Sequence, residues 1–381
     1  MTTVQGVVAP APAPPRSGPD HRGSWLPSWS MVTTRFMELR RRRGLMITIA
    51  VVTIGLPSVF LGIRLIMHAA DPKAYGPAGG SDIFTALVAF VLYVFGFIVA
   101  ATLGCTAGSV DLTDGMFRHL VVTGRSRLAL YLARIPAGLA IILSSAAVGF
   151  TIVCVVCCFA APTTVSYSGA SVPAGLSKAQ LVSWAGTHPN QVVCNFNYNG
   201  PLNIPCGPNG LVGKGPQGQP QPQPPTPTHA QLVALAERMA VQNYSGYEAV
   251  FLSPPISLMV DSGLWLLLEA TIGFIVGLGL GSLLGQRTVS VVLMIVLEVV
   301  LTPLFATNRI PYLLNVQRGL VGIATAHLEP SGLTRVFGSG GGPNARNMLI
   351  PETTTVAVIV ICAWLLVWTA LGAWRMMTRD A

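Results

Sequence analysis

Six stretches of this chain are apolar for about twenty residues each, the length a helix needs to cross a hydrocarbon core about 30 Å thick. They are Leu45–Met67, Ile83–Cys105, Pro136–Phe159, Leu258–Leu284, Val289–Phe305 and Thr354–Trp374. A backbone in lipid has no water to bond, so each stretch must satisfy its own N–H and C=O groups, as a helix does. The chain is 51% hydrophobic and 10% charged, against about 25% charged in soluble domains. The expected fold is therefore an all-α integral membrane protein with six transmembrane helices.

The arginines orient it. Arg35, Arg40, Arg41, Arg42 and Arg43 precede the first span, and Arg118, Arg125, Arg127 and Arg134 lie before the third. Arg287 sits in the short connection after the fourth, while Arg375 and Arg379 follow the last. Positive charge near span ends stays in the cytoplasm, so both termini and these two connections are expected there, with long loops outside. The net charge of +9 is accounted for by this pattern, and no nucleic-acid partner is expected. Arginine predominates over lysine, and Ala, Gly and Pro are abundant. That bias suggests a bacterial protein of the cell (plasma) membrane.

The chain divides accordingly. Residues 1–24 form a Pro/Ala-rich tail with little to bury, expected to be disordered. In residues 25–44, Trp25, Trp29, Val32, Phe36 and Leu39 recur at steps of four and three, one face of a helix. Such a helix would lie at the inner interface with that face in lipid, or pack on the protein's own cytoplasmic loops. Residues 45–160 hold spans one to three, with a cytoplasmic segment at 106–135. Residues 161–257 form a long outer loop containing the tract Pro216–Thr228, whose proline density favours an extended, solvated path. Residues 258–306 hold spans four and five. Residues 307–353 form a second outer loop with short helices, which either dip into the outer leaflet or lie upon it. Residues 354–381 are the last span and a cytoplasmic tail.

Few side chains suggest chemistry. No H-E-x-x-H, nucleophile elbow or catalytic carboxylate cluster is present. Gly207–Gly215 imitates a phosphate loop, but Gly215 stands where Ser or Thr is required. No ATPase, catalytic residue, cofactor or metal site is expected in this chain. Cys154, Cys157 and Cys158 lie within an apolar span with no complementary ligand pair, and read as small buried hydrophobes; Cys105 and Cys362 read likewise. Cys194 and Cys206, in the outer loop, are a possible disulfide.

Glu269 and Glu298 are the costly residues. They lie near the middles of spans four and five, which are antiparallel and joined by a tight turn, so the carboxyls can share a depth. An acid at a helix centre costs about 2.5–3.5 kcal/mol. Three roles are open: a structural pairing, the polar lining of a substrate path, or a proton site. Gly273, Gly277, Gly281 and Gly285 recur every four residues and offer a smooth stripe to another helix, in this chain or in a second copy.

The cytoplasmic segment after the second span reads SVDLTDGMFRHLVVTGRSRLALYLARIPAGL, Ser109–Leu139. Asp111 or Thr113 can cap a helix start. Met116, Phe117, Leu120 and Val121 then give a short helix an apolar side, and Gly124 breaks it before Arg125 and Arg127. Held between two spans, such a helix can pass a partner's movement into the membrane; alternatively it is a loop whose arginines only fix orientation.

The order acidic–Gly115–Phe117-Arg118–Leu120, then Thr123-Gly124-Arg125-Ser126-Arg127, resembles the coupling-helix region of type-2 ABC exporter permeases. Six spans, cytoplasmic termini, an N-terminal interfacial helix and small helices before the last span extend the resemblance over most of residues 25–377; the long third-to-fourth loop departs from it. The resemblance implies ATP-binding cassette subunits as partners, carrying the ATP and Mg, and a second permease copy or paralogue. It implies that Asp111, Asp114, Phe117, Arg118, Arg125 and Arg127 form or flank the ATPase contact. Trp29, Phe36 and Arg40 would belong to the interfacial helix that follows the motor. The expected function is then the permease subunit of an ATP-driven exporter. A proton-coupled secondary transporter using Glu269 or Glu298, and a non-transporting scaffold or assembly subunit, are the alternatives.

Overall fold

Apolar runs of this length take up their backbone hydrogen bonds internally, and helices dominate the computed structural model. It describes residues 26–71, 75, 78–113, 126–161, 164–167, 170–195, 228–245, 247, 253–302, 305, 312–330, 332–333 and 352–378. A short α1 (Trp29–Arg41) leads into the long α2 (Arg43–Ala70), α3 (Ser81–Val110) and α4 (Arg127–Phe159). A hairpin of β1 (Thr164–Tyr167) and β2 (Ala170–Pro173) follows. Then come α5 (Lys178–Thr187), α6 (Pro189–Asn195) and α7 (His229–Gln242). The long α8 (Ile256–Leu284) turns into α9, which is α-helical over Arg287–Ile295 and π-helical over Val296–Leu301. Short helices α10 (Leu314–Arg318) and α11 (Val321–Leu328) precede α12 (Thr354–Thr378).

Five of these, α2, α3, α4, α8 and α12, are long and apolar enough to cross a membrane. The fifth expected span, Val289–Phe305, is not among these five. Its described part is nine α-helical residues followed by six π-helical ones, with Thr302 and Phe305 also helical. Residues 303–304 and 306–311 of this stretch and its continuation lie outside the described residues.

Glycine contacts set the helix directions. On α8, Gly273, Gly277 and Gly281 lie against Phe97, Ala101 and Cys105 of α3, and Gly104 and Gly108 of α3 lie against the α8 backbone at Phe274–Leu278 and Leu278–Ser282. A β-carbon on Gly277 would stand 2.5 Å from the Ala101 carbonyl oxygen. The backbones therefore touch along a seam of small residues, and α3 and α8 run in the same direction. Against α4, Gly138 meets Phe274 and Gly263 meets Phe150, so α4 and α8 are antiparallel. Gly279 lies against Trp368 of α12, and Arg127, at the start of α4, donates to the Met377 carbonyl at 3.1 Å. The end of α12 thus shares the end of the bundle where α4 begins and α8 finishes, so α8 and α12 are parallel. The chain between Gly285 and Thr354 must return the length of the bundle, and α9 begins that return.

One end of the bundle collects Arg127, Arg134, Arg287 and Arg375. Here α1 packs on the first turns of α4, with Met31 beside Ala129, Leu130 and Ala133, and Leu39 and Phe36 against the main core. The helix buries Met31, Arg35 and Leu39. Its apolar face therefore meets protein for much of its width, while Trp29 stays 79% exposed.

At the opposite end, between α4 and α8, residues 216–227 of the Pro-rich tract lie outside the described residues, and the flanks of the tract form a packed unit. Val172, Leu181, Ala185, Val192, Val193, Ala236, Met239, Ala240 and Tyr247 share one core. Tyr247 fastens it: the hydroxyl donates to the Pro173 carbonyl at 2.6 Å and accepts from the Leu176 N–H at 3.0 Å. Proline density in one tract says nothing of its flanks, where Ser177–Gln180 and Thr228–Gln231 each form a capping box that starts a helix.

Candidate functional site

Each of three helices carries a π-helical stretch: Val51–Gly55 in α2, Leu87–Phe95 in α3 and Val296–Leu301 in α9. Such stretches widen a turn, re-aim side chains and recur at functional sites. Here they carry Thr53, Tyr93 and Glu298, and all three line the polar centre of the bundle.

At that centre are Glu269 of α8 and Glu298 of α9, only 2% and 7% exposed. They are close enough to repel one another electrostatically. The Thr325 hydroxyl, beside Glu269, donates to the Gly322 carbonyl at 3.1 Å. Glu298 receives a hydrogen bond from Thr302, to Oε2 at 3.4 Å, and the Tyr93 side chain lies near its carboxyl. The Thr302 hydroxyl also approaches the Leu297 carbonyl, at 3.1 Å. Among the described residues, oxygen Oε1 of each glutamate is left buried without a hydrogen-bond partner. Buried oxygens of this kind cost free energy comparable to a lost hydrogen bond.

Aromatic side chains hold the frame. Tyr93 stacks on Trp265 with centroids 4.9 Å apart, and the Trp265 indole donates to the Thr325 carbonyl at 3.1 Å. That bond ties α11 to α8. Gly322 of α11 faces Glu298 and Thr302 so closely that a β-carbon there would collide with both. The loop helix α11 is therefore inserted among the long helices, with Val321–Ala326 buried, rather than resting on their ends.

Two cavities flank the carboxyls. One, of about 330 Å³ counting its open mouth, is bounded by Thr53, Leu92, Tyr93, Gly96, Phe97, Ala146, Leu266, Glu269 and Ala270. The other, of about 510 Å³ counting its open mouth, reaches Glu298 between α3, α8, α9, α11 and α12. Phe97 lines both and forms the wall between them.

More acids lie toward the α11 and α12 ends. Glu329 is close enough to act electrostatically on Glu269 and Tyr93. Glu352 lies 3.7 Å from His327 Nδ1, with its side chain 1% exposed. Burial pushes the Glu352 carboxyl above its usual range, and His327 and Arg318 oppose the shift. Among the described residues, no three His, Cys, Asp or Glu side chains come together as a metal site.

At the arginine-rich end, Arg134 reaches across from α4 to donate to the carbonyls of Ala107 and Gly108 at 3.0 and 3.3 Å. Arg35 of α1 pairs with Glu38 at 2.7 Å. The two arginines share a crevice with Leu39, Ala107 and Val110.

The other sequence candidates fall as follows. Asp114, Phe117, Arg118, Arg125 and Cys206 lie outside the described residues; Asp111 is on the helical continuation of α3 and Cys194 is in α6. Arg127 begins α4, tied to the α12 terminus. Phe36 packs against the core and Arg40 is exposed. Gly273, Gly277 and Gly281 form the α3–α8 seam, whereas Gly285 stands apart: its φ of 68° makes it the left-handed cap that ends α8. Cys105, Cys154, Cys157, Cys158 and Cys362 are free thiols; Cys105 and Cys157 are buried as expected, but Cys154 and Cys158 are half-buried and Cys362, on the outer face of α12, is exposed.

Sequence reasoning missed Tyr93, Thr302, Thr325, Trp265 and Gly322, which carry no local signal. It also missed Gly104 and Gly108, whose spacing of four was visible beside the stripe on α8.

No protein-family model, curated protein or solved structure matches the chain.

Proposed function

We propose that this protein is the permease half of an ATP-driven exporter in a bacterial plasma membrane, crossing the bilayer six times with both termini in the cytoplasm. The sixth crossing is α9 continued through the loop helices; the parallel course of α8 and α12 supports it, because the chain must come back between them. ATP-binding cassette subunits, carrying ATP and Mg, would dock on the segment 114–125, and a second permease copy or paralogue would complete the path.

One observation carries this reading. Both flanks of the segment 114–125 are fastened into the same block. Val110 lines the crevice between Arg35 and Arg134, and Arg134 bonds the last turns of α3. Arg127 holds the end of α12, while α1 lies along α4. Force applied between these flanks would reach α1, α3, α4 and α12 together. Purification of the tagged chain from its native membrane should bring down an ATP-binding subunit. Replacing Phe117 and Arg118 with Ala should abolish ATP-dependent transport while the protein stays in the membrane. Labels at 114–125 reachable from outside intact cells would overturn the proposal.

The buried Glu269–Glu298 pair favours a second reading, proton-coupled transport. Transport driven by a pH gradient without ATP, and lost in Glu298→Gln, would select it.

A further inference from the structure

We infer that the cleft beside Glu298 binds a lipophilic organic cation, which would be the substrate class of the transport path proposed above and rests on that reading. The cleft is an apolar chamber with one charged group. Phe97, Leu301, Phe305, Val321 and Trp364 supply its walls, Glu298 is the acid, and none of its described lining residues is basic.

The unmet atom decides the chemistry. Thr302 donates to Glu298 Oε2, yet among the described residues Oε1 has no hydrogen-bond partner although the residue is more than nine-tenths buried. A carboxylate in such surroundings is tolerable only if a proton or a counter-charge accompanies it. An ammonium or phosphonium centre beside Oε1 provides the counter-charge, and its apolar substituents cover the walls. Phe97 and Trp364 can offer ring faces to the same charge, and the Trp364 indole is held in place by donation to the Gly319 carbonyl at 2.8 Å. An anion would meet the fields of Glu269 and Glu298 together. A neutral hydrophobe of the same shape would fill the chamber but leave Oε1 without a partner, so charge should discriminate between ligands of equal size.

Methyltriphenylphosphonium and triphenylphosphine oxide are a suitable pair, close in size and differing in net charge. With the purified full-length chain in detergent, radiolabelled methyltriphenylphosphonium should bind saturably, and triphenylphosphine oxide should displace it poorly. Glu298→Gln should weaken binding at least tenfold. Leu301→Trp, which fills the cleft and leaves the carboxyl in place, should do the same, and it decides the matter should Glu298→Gln misfold. Gel filtration and thermal melting report the integrity of each variant. The inference is overturned if a folded Glu298→Gln or Leu301→Trp binds as the wild type does, if the neutral oxide competes equally, or if no saturable binding occurs. The assay contains neither ATP nor a partner subunit, so its failure would leave recovery of an ATP-binding subunit standing. Absence of that subunit would likewise leave a positive binding result intact.

Discussion

Glu298 and Gly322 meet without space for a methyl group between them. A β-carbon on Gly322 would collide with Glu298 Oε1 and lie 2.5 Å from Thr302 Cγ2. A loop helix thereby reaches a carboxylate in the middle of the bundle, and the lack of a side chain at one position permits it.

Gly322→Ala should consequently push α11 away from α9. The expected loss is about 1–3 kcal/mol, typical of inserting a methyl group into a packed interior, with a larger loss for Gly322→Val. Thermal melting of the detergent-solubilised chain measures it. A Gly322→Ala protein as stable as the wild type would show that α11 does not insert as described.

The α3–α8 seam should be equally intolerant. On Gly281 a β-carbon would lie 2.5 Å from the Cys105 carbonyl oxygen and 2.9 Å from its α-carbon, whereas Gly44 has nothing within 4 Å. Gly281→Leu should lower the melting temperature and the yield of folded protein, while Gly44→Leu should change neither. Equal behaviour of the two would refute the close approach.

Arg134→Met is expected to loosen the arginine-rich end. It removes a guanidinium that bonds the Ala107 and Gly108 carbonyls near the negative end of the α3 dipole. A charged hydrogen bond of this kind contributes about 1.5–3 kcal/mol. Limited trypsin digestion should cut faster at Arg125 and Arg127 in the variant, and Arg134→Lys should be intermediate.

Glu352 should make stability depend on pH in a defined direction. Its carboxyl is raised above 4.5 by burial, so the folded state keeps a proton that the unfolded state releases. Stability linked to it is complete below 4.5 and declines as pH rises through the raised value. His327 and Arg318, the charged partners that oppose the shift, limit its extent. Over that window the melting temperature of the wild type should fall relative to Glu352→Gln. A constant difference between the two would contradict the assignment.

How much was legible in the sequence differs by feature. Spans one to four and six were readable because hydropathy acts along the chain: the run Leu258–Leu284 nearly coincides with α8. The stripe on α8 was readable as a smooth face, but Gly285 shared its spacing and not its role, since spacing cannot reveal a φ of 68°. The packed unit around Tyr247 went unread because its core joins residues from Val172 to Tyr247 across the proline tract. Tyr93 and Thr302 are ordinary residues in apolar helices until the fold brings them to Glu298.

The sequence by itself determined that this is a multi-pass membrane protein, which five segments are long and apolar enough to cross a bilayer, and which end bears the positive charge. Each of these follows from the local transfer of side chains and backbone between water and hydrocarbon. Only the tertiary structure decided that Glu269 and Glu298 share one interior with Tyr93, that α11 reaches them, and that a cleft opens on Oε1. Those contacts join α3, α8, α9 and α11, and no period within a single helix records which neighbour its buried face will meet.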